Sequence, residues 1–322
     1  MKQLRRTITL IVVLLISFSL LKFYFSSKKN HLKNKGVASE IAWKGPDMTT
    51  DTSIKGEDRS LIIYGHELIA HTSKYLGPNG TVAKITNGMN CQNCQLNAGN
   101  QPGGNNYGAG YSTYPKYRDR SGRIESIYKR VSDCMERSLN GKALDSNSRE
   151  FTAIYAYIKY LGRDVAKNAK PYGSGIEKIE FINRAADATK GGIIYITKCQ
   201  ICHGNKGQGQ MQANNDEYAY PPVWGEHSYN DGAGLYRISN LAGYIKNNMP
   251  FLQTSHDKPA LTNEQCWDVA AFINSQTRPH MNQSKDWPNL AKKPFDYAWG
   301  PYSDSFSEVQ HKYGPYQNIL KK

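Results

Sequence analysis

Acidic residues are scarce in this chain relative to basic ones. Its 322 residues include 27 Asp and Glu against 41 Lys and Arg, which gives a formal net charge of +14. A basic surface attracts anionic partners such as nucleic acid, anionic lipid or small anions. No nucleic-acid-binding motif accompanies the charge, so nucleic acid is not an expected partner.

Signals for β-strands are almost absent as well. Hydrophobic residues make up 39% and charged residues 21% of the chain, which excludes a disordered protein and indicates a globular one. The length suggests about two domains. Apolar periodicity predicts helices near residues 60–76, 123–139, 148–161, 187–199, 241–248 and 262–272. The predicted fold class is therefore all-α.

Long apolar runs are lacking except for one near the N-terminus. Residues 8–21 are apolar, with Lys2, Arg5 and Arg6 before them and aromatic residues and lysines after them. Basic residues before such a run keep the N-terminus in the cytoplasm, and no small-residue cleavage site follows the run. We expect residues 1–25 to form an uncleaved signal anchor, a cleaved signal peptide being the alternative, with the remaining chain on the periplasmic side.

Cysteine is scarce too, and four of the cysteines fall into two C-x-x-C pairs. The cysteines are Cys91, Cys94, Cys134, Cys199, Cys202 and Cys266. An exported chain could join them as disulfides. The paired spacing argues for another use.

The second pair is followed directly by histidine, as Cys199-Gln200-Ile201-Cys202-His203. Haem c attachment requires two thiols one helical turn apart and an imidazole directly after them to reach the iron. A zinc site would need two further ligands at zinc spacing, which are absent from the sequence. The motif predicts covalent haem c at Cys199 and Cys202, with His203 as an iron ligand.

The opposite ligand of this iron is expected some forty to sixty residues later. Met249 precedes a proline at the end of a predicted helix, and a thioether sulfur stabilises reduced haem iron. A core-filling methionine is the alternative interpretation. Met211, Lys246 and His256 are the other candidate ligands.

The first pair, Cys91 and Cys94, is followed by Gln95 instead of histidine. An amide is a poor iron ligand compared with imidazole, so two interpretations stay open. Either haem c is attached with an altered ligand, or the pair is a dithiol or disulfide without haem. His66 and His71 on the preceding helix could replace the missing ligand, or be ordinary surface or core histidines.

Cys134 is a candidate reactive thiol. Arg130, Cys134 and Ser138 share one face of a predicted helix, being four residues apart. A thiolate beside arginine is stabilised and reactive. The alternatives are a buried structural cysteine or a disulfide with Cys266, which is itself expected to be a small core residue.

Several stretches together make the chain resemble the thiosulfate dehydrogenase family of dihaem c-type cytochromes. They are Tyr75-Leu76-Gly77-Pro78, Asn87-Gly88-Met89-Asn90-Cys91-Gln92-Asn93-Cys94, Gly104-Asn105-Asn106-Tyr107, Asp133-Cys134-Met135-Glu136-Arg137-Ser138, the second haem motif and Gln310-His311-Lys312-Tyr313-Gly314-Pro315. The resemblance implies two tandem cytochrome c-like domains. It also implies oxidative coupling of two thiosulfates to tetrathionate, with electrons passing through haem c to a redox partner such as a cytochrome.

The resemblance also implies roles for single residues. Cys134 matches the thiolate ligand of the active-site haem, and Met249 matches the distal ligand of the second haem. Arg120, Arg130 and Ser138 match positions that line the anion pocket. Gln95 departs from the histidine of the family, so a non-enzymatic electron carrier is the second functional hypothesis and a redox dithiol protein is the third. The preferred direction of the reaction stays open.

The resulting domain prediction divides the chain into six segments. They are a signal anchor (1–25), a tether (26–55), an N-terminal cytochrome c-like domain (56–163), a linker (164–184), a C-terminal cytochrome c domain (185–279) and an extended tail (280–322).

Overall fold

The computed structural model of the chain describes residues 42–213 and 216–321. The predicted signal anchor and most of the predicted tether lie outside these residues. Within the described part of the chain, no helix is both long enough and apolar enough to cross a membrane.

The N-terminal half is built from helices around a short hairpin. Its helices are α1 (Gly56–Ala70), α2 (Thr72–Leu76), α3 (Leu96–Gly99), α4 (Gly110–Thr113), α5 (Ile127–Asp133) and α6 (Arg149–Leu161). A 3₁₀ turn occupies Cys91–Asn93, and a π-helical turn continues α5 over Cys134–Ser138.

One predicted helix boundary in this half is wrong. The helix expected from residue 123 begins only at Ile127, because β2 (Arg123–Glu125) pairs antiparallel with β1 (Lys116–Arg118). The side chain of Ser126 then accepts a hydrogen bond from the backbone N–H of Lys129 and caps α5. Residues 123–125, which fit the apolar pattern of a helix, thus form a strand instead.

The C-terminal half repeats this plan. Its helices are α7 (Ala188–Lys198), α8 (Gln200–His203), α9 (Ile238–Asn248) and α10 (Asn263–Ser275), with a hairpin of β3 (Gln210–Met211) and β4 (Tyr218–Tyr220). The capping box predicted at the start of α10 is confirmed, because Thr262 and Gln265 each bond the other's backbone N–H.

A glycine marks the same helix crossing in each half. A Cβ on Gly65 of α1 would lie 2.0 Å from the carbonyl oxygen of Ala153 in α6, and one on Gly191 of α7 would lie 1.9 Å from that of Asp268 in α10. Only glycine allows the first and last helices of each half to approach so closely. The helix-rich fold predicted from the sequence is confirmed, with the two hairpins as local exceptions.

The C-terminal tail contacts both halves. It contains α11 (Glu308–Tyr313) and α12 (Gln317–Leu320), which the sequence pattern did not predict. Tyr316 and Ile319 pack into the second hydrophobic core. Asp286 forms an ion pair of 2.9 Å with Arg137 of the first half. The tail therefore helps to hold the two halves together.

Candidate functional site

The second C-x-x-C motif lies on a single helical turn. Helix α7 ends at Lys198, and α8 carries Cys202 and His203 directly beyond it. The backbone N–H groups of Cys202 and His203 bond the carbonyl oxygen of Cys199 at 3.1 and 2.9 Å. This turn brings both thiols and the imidazole to one side of the helix, as haem c attachment requires.

The imidazole of His203 is held in its neutral form. Its Nδ1 lies 2.8 Å from the carbonyl oxygen of Pro221, which can only accept a hydrogen bond. The proton therefore sits on Nδ1, and the lone pair of Nε2 is available to a metal. Burial lowers the pKa of His203 and favours the same neutral form.

A cavity of about 300 Å³ contains the complete predicted donor set of this half. Cys199, Cys202, His203 and Met249 all lie in its wall. The donors fit haem c, with the two thiols for attachment and an imidazole and a thioether for the iron. Burial raises the pKa of Cys199 to about 11, so this thiol is protonated before attachment.

The alternative ligands for the second iron do not line this cavity. Lys246 donates to the carbonyl oxygen of Leu261 at 2.8 Å, and His256 pairs with Glu177 at 2.9 Å. Met211 lies on β3 with its side chain exposed. The geometry favours Met249 as the ligand.

The first motif is held differently. The backbone N–H of Cys91 donates to the Thr72 hydroxyl at 2.9 Å, and Asn90 and Asn93 cap the 3₁₀ turn reciprocally. Burial raises the pKa values of Cys91 and Cys94 to about 12. No two cysteines of the described chain are joined in a disulfide, this pair included.

Gln95 lies in the wall of a second, larger cavity of about 460 Å³. The residue is 6% exposed. Cys91 and Cys134 line the same cavity, together with an apolar wall that includes Ile154 and Ile158. The thiols and apolar wall fit haem c, whereas Gln95 supplies no imidazole to the iron.

Cys134 contacts the arginine that the sequence pattern assigned to it. Nη1 of Arg130 donates to the sulfur of Cys134 at 2.9 Å, and the Cys134 sulfur raises the pKa of Arg130. Both residues line the first cavity. Cys134 begins the π-helical turn, a local distortion that often occurs at functional sites.

Arg120 and Ser138 are not among the described residues that line this cavity. The extra residue in the π-helical turn changes the helical phase between Cys134 and Ser138, so four-residue spacing no longer places them on one face. Arg120 lies under the tail, 5.7 Å from the ring of Trp287, and its Nε has no hydrogen-bond partner. Their catalytic roles stay predictions.

The histidines that could have replaced Gln95 are engaged elsewhere. His66 packs edge-on against Tyr157, and Nδ1 of His71 lies 2.9 Å from Glu217. Neither histidine lines the first cavity. Cys266 is 0% exposed in the second core, as expected for a small core residue.

Sequence reasoning missed a group of cations at the first cavity. Lys116, Arg118 and Lys170 line it together with Arg130. The alternation of Lys116 and Arg118 on either side of an exposed tyrosine is a strand signal that could have placed both on one face of β1. No local pattern connects Lys170 with them.

The two cavities share one wall, which is formed by residues 90–97. Cys91 and Gln95 face the first cavity. The second cavity is lined by Asn90, Gln92, Asn93, Leu96 and Asn97 from the same segment. Cofactors held in the two cavities would therefore be neighbours, separated by a single layer of chain.

Comparison with known proteins identifies both halves. Residues 81–166 match the family model described as SoxA/TsdA, cytochrome c domain, and residues 188–277 match the cytochrome c model. The solved structure of thiosulfate dehydrogenase (TsdBA) from Marichromatium purpuratum, in its as-isolated form, superposes with a TM-score of 0.69 at 26% identity. The match covers 80% of this chain and 53% of that one. These matches support haem c as the cofactor.

Curated relatives carry the same name. Thiosulfate dehydrogenase of Psychrobacter arcticus is 37% identical over 226 residues, which are 70% of this chain and 66% of the relative. The enzyme of Stutzerimonas stutzeri is 32% identical over 68% of either chain. That of Allochromatium vinosum is 34% identical over 61% of this chain and 72% of the relative. With its two cytochrome c domains and a cysteine–arginine pair at the first cavity, the chain belongs to the thiosulfate dehydrogenase family.

Proposed function

We propose that this chain couples two thiosulfate dianions to tetrathionate. A sulfur–sulfur bond forms between the two terminal sulfurs, and two electrons leave. Haem c, when bound, takes up these electrons and passes them to an external redox partner such as another cytochrome. The observation that carries the proposal is the 2.9 Å contact between Arg130 and Cys134 in the wall of the first cavity.

Electrostatic repulsion is the main obstacle to this reaction. Two unit charges about 4 Å apart repel by roughly 4 kcal/mol at an effective dielectric constant near 20, and two dianions repel more strongly. A guanidinium fixed beforehand offsets this repulsion without reorganising. The guanidinium of Arg130 is held by the hydrogen bond from Nη1 to the Cys134 sulfur. This contact uses one N–H group and leaves the others for oxyanion oxygens.

The proposal is tested by mixing the oxidised holoprotein with thiosulfate in a stopped-flow instrument while the haem absorbance is recorded. We expect rapid haem reduction and the formation of tetrathionate. An absence of reduction by thiosulfate, together with an absence of oxidation of the reduced protein by tetrathionate, would refute the enzymatic function.

A non-enzymatic electron carrier is the second candidate, and Gln95 favours it. A first site without an imidazole could hold its haem weakly or not at all, which would leave the second haem as the working centre. A carrier exchanges electrons with other redox proteins but is not reduced by thiosulfate. The third hypothesis, a redox dithiol, is disfavoured because burial raises the pKa of Cys91 and Cys94 to about 12 and keeps both thiols protonated.

We also propose that the protein works on the periplasmic side of the inner membrane and that residues 1–25 anchor it there. Support comes from Lys2, Arg5 and Arg6 ahead of the apolar run at residues 8–21. N-terminal sequencing of the native protein is the test. A mature chain that starts near residue 26–40 would mean a cleaved signal instead of an anchor.

The domain boundaries at residues 56–163 and 185–279 are likewise proposed. The two separate hydrophobic cores support them, since the first is centred on α1 and α6 and the second on α7 and α10. Limited proteolysis of the holoprotein should cut first within residues 164–184.

A further inference from the structure

The first cavity has a one-sided charge distribution. The charged residues in its wall are Lys116, Arg118, Arg130 and Lys170, and none of the described residues that line it is Asp or Glu. A wall with cations and no carboxylate is costly unless an anion is bound there, because like charges at close range repel.

The cations are close enough to influence one another. Burial, followed by the positive charges of Arg118 and Lys170, lowers the pKa of Lys116 to about 8. Arg118 has an acidic partner in Glu125, a buried residue of β2 whose Oε2 lies 3.9 Å from Nε of Arg118. Glu125 does not line the cavity, so no carboxylate of the described residues faces the cavity beside the four cations.

The cations also differ in depth. Lys170 is exposed to solvent, and Lys116 and Arg118 are partly buried. Arg130 is also partly buried, and it contacts the sulfur of Cys134. The cations of the wall therefore include one at the surface and one beside the candidate reactive thiol. Clefts lined by one sign of charge concentrate oppositely charged ligands and accelerate their arrival.

We propose that Lys116, Arg118 and Lys170 form an anion subsite that collects sulfur oxyanions at the mouth of the first cavity and guides them to Cys134. The proposal rests on the proposed function for the identity of the anion. The recognition itself requires only a small dianion. Two dianions must meet in the reaction, and Arg130 serves one of them. The subsite supplies positive charge for the other.

The experiment compares the wild-type holoprotein with the double variant Lys116→Gln/Lys170→Gln. Arg118 is left in place because its removal would leave the buried Glu125 carboxylate without a partner and risk unfolding. The matched control is Lys84→Gln/Lys142→Gln, which removes the same charge from exposed positions of the same half that do not line the cavity.

In steady-state and stopped-flow kinetics, we expect the double variant to raise KM for thiosulfate about ten-fold while kcat changes less than two-fold, because steering acts on association. The dependence of kcat/KM on ionic strength should become weaker in the double variant. The control variant should match the wild type. An unchanged KM and salt dependence would overturn the proposal.

A binding measurement separates this proposal from the proposed function. Millimolar sulfate, an unreactive dianion, should raise the melting temperature of the wild type and of the control above that in chloride at equal ionic strength. It should not do so in the double variant. An equal sulfate effect in all three proteins would overturn the subsite whether or not thiosulfate is oxidised.

The haem content per chain and the reduction potentials of the double variant complete the test. If the cations instead neutralised the carboxylates of a bound haem, the substitutions would lower haem content or shift the potential of the first haem. Such a change, without a change in sulfate binding, would assign the cations to the cofactor and overturn the subsite.

Discussion

The two C-x-x-C segments of this chain have the same spacing but opposite surroundings. In the second segment, His203 is oriented by the Pro221 carbonyl and shares its cavity with Met249. In the first, Gln95 stands in the position of the histidine and shares its cavity with Cys134. The second cavity offers an imidazole and a thioether to iron, whereas the first offers the Cys134 sulfur beside Arg130, with further cations in its wall. Under the proposed function, this difference assigns electron storage to the second cavity and substrate chemistry to the first.

Among the substitutions considered, removal of the Cys134 sulfur should have the largest effect on turnover. We expect Cys134→Ala to lower kcat for thiosulfate on the order of 10³-fold or more, as loss of a reacting group does, while the second haem keeps its spectrum. Cys266→Ala is the matched control, because its thiol is buried in the core. That variant should lower the melting temperature and spare activity. The reverse pattern in the two variants would make Cys134 a structural cysteine.

Met249→Ala tests the ligand set of the second haem. Loss of the thioether should lower the reduction potential of the second haem by on the order of 100 mV or more, because the thioether stabilises the reduced iron. It should also remove the methionine charge-transfer band from the spectrum of the oxidised protein. Potentiometric titration and absorption spectroscopy measure both effects, and Met211→Ala, on the exposed β3, is the control. A band that survives in Met249→Ala would point to a different ligand.

Arg130→Lys tests whether activity at the first cavity requires the paired N–H donors of arginine or only a positive charge. Lysine keeps the charge but loses the paired, planar N–H donors that suit an oxyanion. We expect kcat/KM to fall about 10- to 100-fold, with little change in melting temperature. Arg184→Lys should do the opposite, because Arg184 forms a two-point contact with the buried Asp268 far from the cavity. Comparable activity losses in both variants would argue against a specific role for Arg130.

Gln95→His is expected to have the smallest effect on turnover and the most informative effect on spectra. It gives the first segment the residue of the second and should convert the first haem to a low-spin form in electron paramagnetic resonance and absorption spectra. Gln95→Leu, which has nearly the same volume, should leave the wild-type spectrum unchanged. Identical spectra for Gln95→His and wild type would mean that this position does not face the iron.

The sequence predicted the parts of the site that are encoded locally. The two thiols and the imidazole of the second segment lie within one helical turn, so their spacing alone specifies their geometry. The contact between Arg130 and Cys134 is likewise a single turn of helix. The helix face on which Ser138 lies could not be predicted in this way. The π-helical turn changes the number of residues per turn, and no local sequence signal indicates it.

Contacts between distant segments could not be predicted from one sequence. The pairing of His71 with Glu217 joins residues from the two halves, and it removes a candidate ligand that helical position alone had left open. Lys170 reaches the first cavity from the predicted linker, and no local pattern connected it with the site. The start of α5 was misplaced because hairpin pairing, a tertiary preference, outweighed the apolar pattern at residues 123–125.

Because the two cavities share a wall, the cavity of the C-terminal half is complete only when the N-terminal half is present. Adjacent residues of segment 90–97 face different cavities, so one inserted or deleted residue there would disturb both cavities at once. A fragment that begins at residue 185 would keep its own haem motif but lose that side of its cavity. We therefore expect relatives to tolerate insertions in this segment less than in either hairpin. In a chimaera that combines halves from two relatives, residues 90–97 would have to match both the N-terminal half that contains them and the C-terminal half whose cavity they line.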